Sequence, residues 1–240
     1  MGMAMRVAGT RARSAVPSAT DPLNPIWHPS PNFGERRDGL TPSLIVIHYT
    51  AMDSAQAALD RLCDPKAEVS AHYLIGNDGT LWQMVREEDR AWHAGAGEWH
   101  GQTDINSRSI GIELDNAGKH PFPEPQMHRL EQLLRQIMHR WAILPNGVIG
   151  HSDMAPGRKF DPGPRFDWLR LERNLLAAPR GYAAGPQTAS KGRFRSLARA
   201  AGFSANADDD TLLHSVRLRY RPWGRGPLQQ ADLAPLIPHS

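Results

Sequence analysis

Short apolar runs alternate with helical stripes along this chain. Leu44-Ile45-Val46-Ile47-His48-Tyr49 is a β-branched apolar run of strand length, and it predicts a buried strand with His48 at its C-terminal end. Residues 54–62 read as a helix, and Cys63 just beyond it as a core residue. The runs at 71–75 and 81–85 flank Gly76-Asn77-Asp78-Gly79-Thr80, and that Asp-Gly pair predicts a β-hairpin. Ser109-Ile110-Gly111-Ile112-Glu113-Leu114 alternates apolar with other residues, which predicts a second strand with an acid near its end.

Between residues 126 and 141, Met127, Leu130, Leu133, Leu134, Ile137, Met138 and Trp141 recur at helical spacing, so one helix face should cover a sheet. His128 and His139 fall off that stripe and are expected in solvent. Val148-Ile149-Gly150 predicts another strand, residues 151–164 a loop and residues 166–176 a helix. Strands interleaved with helices make an α/β domain over residues 41–178.

The flanks differ in character. Residues 1–40 are rich in Pro, Ser, Asn and Arg without periodicity, so an arm, partly disordered, is expected there, pinned by Trp27 and Phe33. Residues 179–190 have linker composition. Residues 191–240 carry Phe194, Leu197, Leu212, Leu213, Val216, Leu218, Leu233 and Leu236, enough for three short helices with a minimal core leaning on the main domain.

Composition narrows the function. The 28 basic and 25 acidic residues leave a net charge of +3, spread too thinly for a nucleic-acid groove. The one cysteine, Cys63, excludes a disulfide framework and a thiolate zinc cage. No run approaches the roughly 20 apolar residues that span a bilayer. The first 20 residues lack the apolar stretch of about 7–15 residues of a secretory signal, so a cytoplasmic location is favoured, with the periplasm as the alternative. No obligatory protein partner is evident.

Three segments deliver groups able to bind metal or move protons: His48 after the first strand, Glu113 near the end of a later one, and the loop from Gly150 to Gly163 with His151, Asp153, Lys159 and Asp161. Two imidazoles and a carboxylate bind Zn²⁺ while leaving a position open for water, as a catalytic site requires. Pro156, Gly157, Pro162 and Gly163 allow the loop to fold back on itself. The glycines at 95, 97 and 101 lack the spacing of a dinucleotide loop, and residues 150–154 lack the second glycine of a nucleophile elbow.

The stretches IVIHYTA, SAHYLIGNDGTLWQMV, RAWHAGAG, NSRSIGIELDN and IGHSDMAPGRKFDPGPRFDW, in this order over residues 40–175, resemble the N-acetylmuramoyl-L-alanine amidase type 2 family. They resemble most the bacterial anhydro-muramyl-peptide amidases, and less closely the phage amidases and peptidoglycan recognition proteins. The resemblance implies a central mixed β-sheet flanked by helices and hydrolysis of the amide between N-acetylmuramic acid and L-alanine in peptidoglycan or muropeptides. It implies one zinc ion per chain on His48, His151 and Asp161, with Glu113 acting on the catalytic water and Lys159 facing the developing oxyanion. Trp92 and His93 are expected to line the substrate cleft, with Asn106 and Arg158 supporting it and His72 as a hydrogen-bonded partner behind the ligands. Residues 191–240 resemble a degenerate three-helix peptidoglycan-binding domain, with Arg219-Tyr220 in place of the usual Phe-Gln pair. The rival to an enzyme is a recognition protein of the same fold that binds muropeptides without cutting them.

Overall fold

The computed structural model describes residues 23–182 and 188–238. Two short strands, β1 (Ile26–Trp27) and β2 (Phe33–Gly34), precede β3 (Leu44–Tyr49), helix α1 (Ala55–Cys63), β4 (Tyr73–Ile75), β5 (Leu81–Gln83) and β6 (Arg90–Ala91). Then follow α2 (Ile105–Arg108), β7 (Ser109–Leu114), α3 (Glu124–Trp141), β8 (Val148–Gly150), α4 (His151–Met154) and α5 (Trp168–Arg173). Three helices close the chain: α6 (Lys191–Ala200), α7 (Asp209–Tyr220) and α8 (Gln230–Leu233).

Six strands form one mixed sheet in the order β1-β5-β4-β7-β3-β8. β3 lies parallel to β7 and β8, β4 is parallel to β7, and the β4–β5 hairpin is antiparallel. Gly79 takes the positive φ of its turn, where a Cβ would meet the Pro125 carbonyl oxygen at 2.9 Å. β2 and β6 pair separately.

Because side chains alternate along a strand, the sheet has two distinct faces. On one, Ile45, Ile47, Ile110, Ile112 and Leu114 meet the stripe of α3, with Trp168 and Leu171 of α5 completing this core. On the other, Leu44, Val46 and Ile149 meet Phe194, Leu213 and Val216 of the C-terminal helices, while α1 packs Leu59 and Leu62 against Leu74 at the opposite edge. Each such fully buried aliphatic or aromatic side chain contributes roughly 1.5–3 kcal/mol. Between α1 and the segment that follows α4, the second face is left open.

Several expectations need correcting. The segment after β8 opens with the helical turn α4 rather than a loop, and α5 is shorter than the helix expected over residues 166–176, starting after Asp167, whose carboxylate caps it by accepting from the Arg170 amide. Trp27 and Phe33 are exposed and pin nothing by burial. Polar side chains hold the arm instead: Ser30 donates to the Leu62 carbonyl (2.6 Å), Asn32 to those of Asp64 and Val69 (2.8 Å each), and Arg36 to carbonyls of Glu87, Asn106, Ser107 and Ser109. Cys63 is half-buried at the end of α1. The expected disorder before residue 23 and residues 183–187 of the expected linker lie outside the described residues. No helix among the described residues is long and apolar enough to cross a membrane.

Candidate metal centre

Strand register assembles the floor of the open cleft. Leu44 pairs with Ser109, Val46 with Gly111 and His48 with Glu113, so period two puts His48, Ser109, Gly111 and Glu113 on the same face. β8 lies on the other side of β3 and ends at Gly150, so His151 emerges beside His48 as the first residue of α4. The chain then doubles back, and the Ser152 amide donates to the Asp161 carbonyl (2.9 Å), which returns Asp161 to the start of the turn. Positive φ at Gly157 and Gly163 makes this return possible.

The carboxylate of Asp161 meets both imidazoles through one oxygen: Oδ2 lies 2.9 Å from His48 Nδ1 and 3.1 Å from His151 Nδ1. One ligand atom from each residue falls within 4.8 Å of the other two. Burial and the neighbouring His151 push His48 down to about 4, so its ring is neutral at ordinary pH. Burial acts to raise Asp161, but the two imidazoles outweigh it and hold the carboxyl well below the usual range.

The chemistry of this donor set fits a divalent cation. The Ala94 carbonyl at His151 Nε2 (2.8 Å) and Asp161 Oδ2 at its Nδ1 (3.1 Å) both only accept, and an imidazole with one hydrogen cannot serve both; a cation at Nδ1 would take the place of the hydrogen beside Asp161 and leave Nε2–H to the Ala94 carbonyl. Two imidazoles and a carboxylate whose ligand atoms all lie within 4.8 Å of one another are a donor set of the kind that zinc takes. His48, His151 and Asp161 are therefore the residues able to hold the ion.

Glu113 and Lys159 line the same cleft of about 410 Å³ as the three ligand candidates. Burial pushes the Glu113 carboxyl up to about 8, with Asp161 adding to the rise and Lys159 opposing it. Its Oε2 is buried without a hydrogen-bond partner among the described residues. Such an acid is poised to exchange a proton with whatever enters the cleft.

The remaining predicted residues separate. Trp92 and His93 line the cleft, but both ring nitrogens of His93 are engaged, Nδ1 with His48 Nε2 (3.0 Å) and Nε2 with Ser109 Oγ (3.2 Å). Asn106 does not line it; its Oδ1 accepts from the amides of His93 (3.1 Å) and Ala94 (2.8 Å) and so shapes the loop below. Arg158 sits on the rim, tied to the carbonyls of Ala94 (2.7 Å) and Ala96. His72 is apart from the cluster, accepting from the Gly111 amide (3.0 Å) and lying 3.1 Å from the Asp89 carbonyl.

Sequence reasoning missed residues that only packing reveals. Tyr49 at the end of β3, Met52, Arg61 of α1 and Phe160 line the cleft without any local signal. Gly111 carried one, since an isolated glycine inside a strand marks a close approach. A Cβ there would lie 2.5 Å from the His93 ring.

The chain is similar to known amidases. The family model described as N-acetylmuramoyl-L-alanine amidase matches residues 38–164. The N-acetylmuramoyl-L-alanine amidase AmiD of Escherichia coli (strain K12) is 40% identical over 151 residues, 56% of this chain; the match spans only 54% of that relative. The 1,6-anhydro-N-acetylmuramyl-L-alanine amidase AmpD of Haemophilus influenzae is 37% identical over 159 residues, 59% of this chain and 86% of that one. Among solved structures, E. coli AmiD in complex with the substrate anhydro-N-acetylmuramic acid-L-Ala-D-γ-Glu-L-Lys superposes with a TM-score of 0.72 at 30% identity, covering 84% of this chain and 94% of that one.

Proposed function

This chain belongs to the N-acetylmuramoyl-L-alanine amidase family, and from that membership we infer that it is a zinc-dependent hydrolase cutting the amide between N-acetylmuramic acid and L-alanine. The observation that carries the reading is the convergence of His48 Nδ1, His151 Nδ1 and Asp161 Oδ2 beside an unpartnered Glu113 in one cleft. A recognition protein has no need of a buried carboxyl held near neutral titration.

When bound, the zinc ion lowers the pKa of a water molecule and polarises the scissile carbonyl. Glu113 takes a proton from the attacking water and returns it to the amine of L-alanine as the carbon–nitrogen bond breaks. Lys159 sets a fixed positive charge in the cleft wall against the oxyanion that forms on the carbonyl. Trp92 offers an aromatic face to sugar or peptide, while Asn106 and Arg158 act on the substrate through the loop at residues 93–96. The substrate class is a muropeptide, the 1,6-anhydro form among them, and cleavage frees peptide from sugar as peptidoglycan catabolism and recycling require.

Mass spectrometry of products from anhydro-muropeptides and from intact sacculi, each with and without a chelator, tests the reading. Release of free peptide that stops on chelation and returns with zinc is expected; release that survives complete metal removal overturns it. Preference for the small anhydro substrate goes with the cytoplasmic location, preference for sacculi with the periplasm. Lys159→Ala should keep wild-type zinc content and lose about a hundredfold in kcat, as removal of one oxyanion donor does. Loss of zinc from Lys159→Ala to the extent seen in His151→Ala would contradict the role given to Lys159.

A further inference from the structure

His93 and Ser109 stand behind the proposed ligands and take no part in the chemistry above. Ser109 Oγ lies 2.6 Å from the Ile105 carbonyl, which has no proton, so the hydroxyl spends its one hydrogen there. Toward His93 Nε2 at 3.2 Å the same oxygen only accepts, and that nitrogen must carry a hydrogen. The two ring nitrogens of His93 touch His48 and Ser109, neither of them an acid. With its hydrogen on Nε2, its Nδ1 is a bare lone pair 3.0 Å from His48 Nε2. His48 thus stands between two acceptors, Asp161 Oδ2 at its Nδ1 (2.9 Å) and His93 Nδ1 at its Nε2, and with a cation held at Nδ1 its one hydrogen goes to Nε2.

We propose that His93 and Ser109 are positioning residues: the one-way chain from His48 through His93 and Ser109 to the Ile105 carbonyl fixes His48 in the tautomer that turns a bare Nδ1 toward Asp161 and His151. The inference rests on the metal-site reading given above. It makes the two histidines of the cluster equivalent, since the Ala94 carbonyl imposes the same tautomer on His151. Both present Nδ1 to the cluster.

The fold builds this chain deliberately. Gly111 lets the His93 ring lie against β7, where any side chain at 111 would collide with it. Asn106 fixes the backbone of the loop by accepting from the His93 and Ala94 amides. Ser109 pairs with Leu44 and Gly111 with Val46, so the relay runs along the face that ends at His48. A hydrogen-bond partner behind a metal-binding histidine typically governs 10–100-fold in metal affinity.

Two measurements decide the proposal. Nitrogen-15 NMR of histidine-labelled, zinc-loaded protein should show His48 and His93 both with their hydrogen on Nε2; an Nδ1–H signal from His93 overturns it. Zinc dissociation constants by chelator competition should rise about 10–100-fold in Ser109→Ala and His93→Leu. His93→Asn keeps an oxygen where Nδ1 accepts and should recover most of that affinity, which a merely structural defect would not allow. Wild-type affinity in Ser109→Ala, or an equal loss in His93→Asn and His93→Leu, overturns the proposal. Amidase activity that survives metal removal would sink the zinc reading while leaving the tautomer signals to stand or fall by themselves.

Discussion

Glu113→Gln is expected to lower kcat by about a hundred- to ten-thousand-fold while zinc content stays at the wild-type level. The amide keeps the shape of the acid and removes its proton. The same substitution should stabilise the chelated protein, with a definite pH dependence. Glu113 has an ordinary value of 4.5, and burial raises it to about 8 in the folded chain. A raised pKa means that the favourable contribution is fully present below 4.5 and is lost as pH rises through 8. Each unit corresponds to about 1.4 kcal/mol, so at pH 9 the variant should exceed the wild type by on the order of a few kcal/mol, and at pH 4 the two should coincide. Urea unfolding at the two pH values, in chelator so that no cation offsets the carboxylate, measures this. Equal midpoints at pH 9 would show that Glu113 is not held in its acid form by the cleft, and retained turnover would remove it from the reaction.

Arg219→Ala should cost about 3–5 kcal/mol of stability. Arg219 of α7 is almost fully buried, donates to Asp153 Oδ2 (2.6 Å) and the Val148 carbonyl (3.2 Å), and stacks on Trp168 with its guanidinium carbon 4.0 Å from the ring centre. Asp153 lies two residues after His151 in α4, and its Oδ2 also accepts from the Gly150 amide (2.8 Å). Removing the arginine strands a carboxylate that burial already pushes up, in the turn that carries one of the proposed ligands. Zinc affinity should fall together with stability. The double variant Asp153→Asn, Arg219→Met removes both charges while keeping bulk and the Gly150 acceptor, and it should regain most of the loss. Urea midpoints measure all three chains, and an unchanged midpoint in Arg219→Ala would mean that α7 docks too loosely to support the turn.

That contact bears on the C-terminal helices as a whole. A peptidoglycan-binding unit remains a proposal for residues 191–240, yet Phe194, Leu213 and Val216 complete the core over Leu44, Val46 and Ile149. Cutting these helices away would expose that face of the sheet. Wall binding would be a property of a surface joined to the amidase fold, so it is best measured on the full chain with and without sacculi.

Much of the fold could be read locally. β3 and β7 span the expected residues, α3 covers the sheet with the stripe that runs from Met127 to Ile137, and the Asp-Gly turn joins β4 to β5. The failures occur where a polar group, rather than a hydrophobic period, does the work. Arg36 anchors the arm by donating to carbonyls up to 73 residues away, and no local pattern marks a residue that serves distant backbone. The start of α4 looked like loop because Gly150 and the nearby prolines mask a single helical turn, capped by the Asp153 carboxylate on the Gly150 amide.

By itself the sequence determined which donor types are on offer and which strands deliver them, because donor type and hydrophobic period are properties of short stretches of chain. Only the tertiary structure decided how those donors are aimed. His48 and Asp161 are 113 positions apart, and the hydrogens on His48, His93 and His151 are set by whichever acceptor packing places beside each ring. A tautomer is chosen by its partner, and partners are assigned by the fold.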